Sequence, residues 1–160
     1  MVKIMENPFL NNPSTLAKHW RSLRSQLTAE KTDLQHLELV TKFWSHAPLL
    51  STFLDWDQPS NWLGPWELIA EMDFDISSLA LGMEYTLLLS SDQRWTPDRI
   101  NLALVCAQDK SQQLLVLLVD GLYVLNFEYA SVIPWDQACK ELVVQQSYQY
   151  TNKMHKFKDA

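Results

Sequence analysis

NLALVCAQDKSQQLLVLLVDGLYVLNF, residues Asn101–Phe127, is the stretch on which the fold turns. Asp120-Gly121 separates two apolar runs, LLVLLV and LYVLNF. A dipeptide of this kind between strand-like runs predicts a two-residue hairpin, because a type I′ turn needs positive φ at both central positions. Leu114–Val119 is apolar at six consecutive positions, which predicts a strand covered on both faces. Leu102–Val105 reads as a further strand, joined to it through the polar connection Gln108-Asp109-Lys110-Ser111. Three strands in succession make a sheet, and the rest of the chain has to pack against it.

Working outward, the chain has 160 residues, enough for one domain with a single sizeable core. It is 47% hydrophobic and 20% charged, a globular rather than a disordered balance. The net charge of -6 argues against nucleic acid as a principal partner, since phosphate binding rests on Lys and Arg. Cys106 and Cys139 are far apart and stand in no CxxC or Cys/His pattern, so neither a metal centre nor a disulfide framework is expected. The start of the chain has no leader-like apolar core and no apolar run nears membrane-spanning length, so a soluble intracellular protein is expected, with no membrane partner.

Upstream of the strands the periodicity turns helical. Residues 1–13 mix apolar side chains with Asn and two prolines and read as an extended arm, with Ile4, Met5, Phe9 and Leu10 available for contacts. Ser14 reads as a helix N-cap, followed by an apolar stripe at Leu16, Trp20, Leu23 and Leu27 on a face otherwise carrying Lys18, Arg21 and Arg24. A second helix is expected over Ala29–His46, with Thr32 and Gln35 as a capping box and Pro48 as its stop. Asp55 and Asp57 flank Trp56 in a segment rich in Trp and Pro. Two carboxylates are too few for a hard cation, so they read as turn caps. Pro65 opens a short helix on which Trp66 and Ile69 would face inward together.

Asp75 is the expected N-cap of a third long helix, Ile76–Leu89, whose nearly unbroken apolar character makes it the central buried one. Gly82 inside it costs about 1 kcal/mol relative to Ala, which suggests close approach by a strand or a tryptophan. After the hairpin come a short helix over Trp135–Leu142 and a last strand over Val143–Tyr150. The alternation of that strand suits an edge or half-exposed position. The tail from Lys153 onward reads as a frayed basic terminus. The fold class is therefore α+β: N-terminal helices and a central buried helix packed on a small antiparallel sheet. Residues 1–13 would form the arm, 14–152 the domain and 153–160 the tail.

Motif chemistry is sparse. GxSxG, HExxH, GxxxxGK and GxGxxG are all missing, and no cofactor is implied. The order of a buried helix followed by three strands resembles the papain-like and transglutaminase-like core. In that core a Cys at the helix start is activated by the helix dipole, and strands supply a His and an Asp. The run Phe53-Leu54-Asp55-Trp56-Asp57 to Trp62, then Pro65-Trp66-Glu67-Leu68-Ile69, with Ala80–Leu89 and Asp120–Phe127, resembles a family of proteins from large contractile-tailed phages with a transglutaminase-like fold, marine cyanophages included. Carried over position by position, the resemblance puts the nucleophile on Asp75, the base on Gln112 or Gln113, and the orienting acid on Asn126. None is the catalytic residue type. All four His, at 19, 36, 46 and 155, are expected outside the sheet.

The leading expectation is thus a non-catalytic structural or assembly protein of a phage virion, in the neck or head–tail region, on an inactivated core. It would be made in the host cytoplasm and contact other virion proteins or copies of itself through Ile4, Met5, Phe9, Leu10, Arg21, Arg24, Trp56, Trp62, Lys156 and Phe157. A small regulator binding a host protein is the alternative from the same scaffold. A hydrolase or transferase with a displaced nucleophile is the alternative from the enzyme class.

Overall fold

The computed structural model describes residues 7–49, 58–108, 112–151 and 153–157. Five helices and six strands follow one another: α1 (Pro13–Gln26), α2 (Asp33–Trp44), α3 (Pro65–Glu71), α4 (Ile76–Leu88), β1 (Ile100–Ala107), β2 (Gln113–Val119), β3 (Tyr123–Leu125), β4 (Val132–Pro134), α5 (Trp135–Ala138), β5 (Leu142–Thr151) and β6 (Met154–Phe157). The strands form one antiparallel sheet in the order β4-β3-β2-β1-β5-β6. The fold class is the expected one, a mixed helical and antiparallel single domain.

The hairpin forms as its turn residues require. Asp120 and Gly121 have φ of 54° and 67°, as expected, but the loop is one residue longer than a two-residue hairpin: Val119 pairs with Tyr123, and Leu122 joins Asp120 and Gly121 in the turn. Arg99 fastens this turn to the helices. Its Nε and Nη2 donate to the two carboxylate oxygens of Asp120 at 3.0 and 2.6 Å, and Nη2 also donates to Asp33 Oδ2 at 2.8 Å. Arg94 joins Asp33 and Asp92 to the same network. The first turn of α2, the segment before β1 and the hairpin tip therefore hold one another.

α4 lies against the sheet, with ten of its residues buried. Leu79, Leu81 and Leu87 join Ile100, Leu102, Leu104, Leu115, Leu117 and Leu125 in one core with α1 and α2. Thr86 organises the helix layer. Its hydroxyl accepts from the indole N–H of Trp20 at 2.8 Å and of Trp44 at 2.9 Å, and donates to the Gly82 carbonyl at 2.6 Å. Gly82 has the role expected of it: a Cβ there would stand 2.5 Å from atoms of the Trp44 ring. On the other face of the sheet, Ala103, Val105, Val116, Val124 and Ile133 pack with Ala138 and Leu142.

Several boundaries differ from expectation, each for a physical reason. The described part of the arm docks on its own chain: Asn7 caps a 3₁₀ turn over Pro8–Leu10, and Phe9, 3% exposed, packs against Phe43, Trp44 and Phe74 at ring-centroid distances of 5.1, 5.4 and 5.4 Å. Asn12 rather than Ser14 caps α1, because Pro13 takes the first helical position, which needs no N–H donor. The Thr32/Gln35 capping box is present and fixes the start of α2 at Asp33. The short helix ends at Ala138 because Leu142 already belongs to β5. β5 is not an edge strand. The expected frayed tail supplies the edge instead, with Met154–Phe157 pairing as β6. Trp66 is 59% exposed, since α3 turns only Leu68 and Ile69 inward.

Candidate functional site at the head of the buried helix

In a layout of this kind chemistry is expected where the N-terminus of the buried helix meets the sheet. Asp75 sits there as the N-cap, accepting the Ser78 N–H at Oδ1 over 2.8 Å, while Ser78 Oγ accepts the Asp75 N–H over 2.8 Å. This capping box absorbs the carboxylate that the resemblance puts in the nucleophile's place. Asn126, in the left-handed region at φ 70°, donates from Nδ2 to the Ile76 carbonyl at 2.7 Å and the Leu115 carbonyl at 2.9 Å. It stitches the helix head to β2.

Of the three positions named from the resemblance, the structure therefore joins two. Asp75 and Asn126 both lie at the head of α4. Gln112 is exposed in the connection before β2, and Gln113 turns its amide to Gln145 at 2.9 Å. Along β2 it is Leu115, fully buried, whose carbonyl shares the Asn126 amide with Ile76 of the helix head. Gln113 is two residues away, about 7 Å along the strand.

A cleft of about 190 Å³ opens over the head of α4, lined by Thr41, Ser45, Ile76, Met83, Asn126 and Tyr129 among others. The hydroxyls of Thr41 and Ser45 are engaged with the backbone: Thr41 donates to the Glu38 carbonyl at 3.0 Å and Ser45 to that of Lys42 at 2.6 Å. Cys106 is buried in β1, and Cys139, exposed beyond α5, directs its thiol to the Asp136 carbonyl. His19 and His46 are exposed, and His36 is fixed away from the cleft. Its Nδ1 accepts from Trp95 Nε1 at 2.9 Å, so Nε2 carries the proton and donates to the Thr28 carbonyl at 2.8 Å. Burial lowers its pKa. No group of three or more His, Cys, Asp and Glu among the described residues is arranged to hold a metal ion.

His155 departs from expectation, for it lies in the sheet, on β6. Its Nε2 is 2.6 Å from Oε1 of Glu84, a carboxylate of zero exposure on α4. Glu84 was legible as an anomaly, being the only charge in the run ISSLALGMEYTLLL. Its partner was not, because the two are 71 positions apart.

The residues expected at an interface separate into groups. Ile4, Met5 and Trp56 lie outside the described residues. Phe9 and Trp62 belong to the core, Trp62 against Tyr148 and His155 at centroid distances of 4.9 and 5.0 Å. Neither sits in a periodic run, so the sequence pattern does not mark either as core. Leu10, Arg21, Lys156 and Phe157 are exposed. Arg24 stacks its guanidinium 4.2 Å from the Trp20 ring and 5.1 Å from the exposed Trp66. None of the ion pairs among the described residues engages Lys18, Arg21 or Arg24.

A buried helix set against an antiparallel sheet, with its N-terminus tied to the second strand through Asn126, makes this a mixed helical and antiparallel single domain. Solved structures of Legionella pneumophila LapG share the fold. The calcium-bound form superposes with a TM-score of 0.68 at 17% identity, covering 86% of this chain and 76% of that one. A second LapG structure gives 0.63 at 19% identity over 81% and 71%, and an EGTA-treated one 0.66 at 17% over 89% and 79%. Identity at this level carries the fold alone. No protein-family profile matches the chain, and no curated protein does.

Proposed function

We propose that the chain is a non-catalytic interaction protein built on a transglutaminase-like core. The observation supporting this is the occupancy of the helix head: Asp75 is a cap, and Asn126 spends its amide on two backbone carbonyls, those of Ile76 and of Leu115 on β2. An amide and a leucine offer no base near neutral pH.

The contact surface in this reading is the outer face of α1 with α3. Arg24 lies over the exposed Trp66 and over the buried Trp20 beneath it, whose ring meets Trp66 edge-on, and Arg21 stands beside them with no carboxylate partner among the described residues. Tryptophan and arginine held this way give large contact energy for little loss of side-chain freedom, and the unneutralised cations select an acidic partner surface. With the tailed-phage resemblance, that partner is another virion protein or a second copy, the protein ends in the virion, and its place is the neck or head–tail region.

Quantitative mass spectrometry of purified particles tests the assembly role: stoichiometric recovery supports it, and absence from particles removes it. Thiol labelling at neutral pH tests the lack of catalysis. Cys106 and Cys139 are expected to react no faster than a free thiol, and an accelerated reaction at either would restore an enzyme reading.

A further inference from the structure

The buried Glu84–His155 pair lies apart from the helix head, and no role proposed above uses it. Glu84 faces β6 from the middle of α4. One of its oxygens meets His155 Nε2 at 2.6 Å, and the other, Oε2, is buried with no hydrogen-bond partner among the described residues. The imidazole is enclosed by Tyr150, its cross-strand neighbour on β5, at 4.8 Å between centroids, by Trp62 at 5.0 Å and by Tyr85 at 5.8 Å. Tyr85 gives its hydroxyl proton to the Leu63 carbonyl at 2.6 Å, so it does not serve the pair. The remaining charged groups nearby are Glu67 of α3 and Lys153 of the β5–β6 turn, which line a pocket of about 150 Å³ bordered by His155. Neither forms an ion pair with Glu84 or His155.

A pair this dry is electrically neutral only while it holds one proton, either as carboxyl and imidazole or as carboxylate and imidazolium. Removing that proton leaves a fully buried carboxylate with one neutral donor and a second oxygen that no described residue bonds. β6 is otherwise held by its ladder to β5 and by the turn at Pro59–Asn61, so His155 is its polar link to the central helix.

We propose that Glu84 and His155 form a one-proton latch that fastens the C-terminal strand to the buried helix, and that loss of this proton as pH rises frees β6 and opens the pocket beside it. The direction follows from burial, which raises the Glu84 pKa above that of an ordinary glutamate, with the bond to His155 opposing in part. A raised carboxyl contributes stability that is complete below the unfolded-state value and is lost as pH climbs through the folded-state value.

The test is amide hydrogen exchange of β6, corrected for intrinsic rates and referenced to β1 and β2 in the same sample, from about pH 5 to about pH 9. The wild-type chain is expected to lose about tenfold or more of β6 protection relative to the reference strands, while Glu84→Gln, neutral throughout, stays within about twofold. Direct titration of the Glu84 carboxyl by carbon-detected magnetic resonance needs no variant. Its midpoint should lie above the ordinary glutamate range and coincide with the loss of β6 protection. A flat wild-type profile, an equal loss in Glu84→Gln, or an ordinary carboxyl midpoint would each overturn the latch.

Discussion

Replacing Thr86 by Val keeps the branched shape of the side chain and removes one oxygen. That oxygen accepts from two indole N–H groups, those of Trp20 and Trp44, in a place with zero exposure. Valine leaves both donors buried and unpaired, at about 1–3 kcal/mol each, or about 2–6 kcal/mol together. Exchanging a hydroxyl for a methyl returns at most about 1 kcal/mol of apolar burial. The Gly82 carbonyl, which also loses a donor, remains inside the α4 ladder. With that full offset the expected net loss is about 1–5 kcal/mol, a large share of the roughly 5–15 kcal/mol by which a domain is stable. Urea unfolding followed by far-ultraviolet circular dichroism is the suitable assay, because indole emission would itself respond to the change. The midpoint should fall with the slope unchanged. Thr86→Ser, which keeps the oxygen and loses a methyl, should cost only about 1 kcal/mol. A valine variant within about 1 kcal/mol of wild type, or a serine variant that is the worse of the two, would refute the idea that this hydroxyl holds the helix layer together.

Gly82→Ala should destabilise by about 1–3 kcal/mol in the same assay despite the better helix propensity of alanine, because its Cβ meets the Trp44 ring. Asp75→Ala should cost about 1 kcal/mol of thermal or urea stability through loss of the cap, with Asp75→Asn retaining most of it. His36, whose pKa is lowered by burial, is held neutral between Trp95 and Thr28. Stability should therefore fall as pH drops below the unfolded-state value of about 6.5, and melting temperatures at acid and neutral pH should diverge less in His36→Gln.

What could be read from the sequence was what is decided locally. The Asp120-Gly121 turn, the capping box at Thr32 and Gln35, the cap at Asp75 and the close approach at Gly82 all follow from residues within a few positions of one another. Phe9, Trp62, Trp66 and His155 were misplaced because each is positioned by a distant element: Phe43 and Phe74, Tyr148, Trp20, and Glu84. The order of the strands behaves the same way. An alternating pattern in Leu142–Thr151 signals half burial, and nothing in it reveals that a further strand closes on its outer side. At the helix head the Asn126 amide bonds the Leu115 carbonyl eleven positions away, and nothing in the unbroken apolar run marks Leu115 as that acceptor.

The Arg99 fork has a consequence for engineering. A tight surface turn is ordinarily a good place to graft a peptide or a label. Here the Asp120 carboxylate receives two bonds from Arg99, and the same guanidinium reaches Asp33 at the start of α2. An insertion at Asp120-Gly121 would unhook a helix as well as lengthen a hairpin. The turn over Glu128–Ser131, where Tyr129 is 79% exposed and the Ser131 N–H closes locally on the Glu128 carbonyl, is the better graft site.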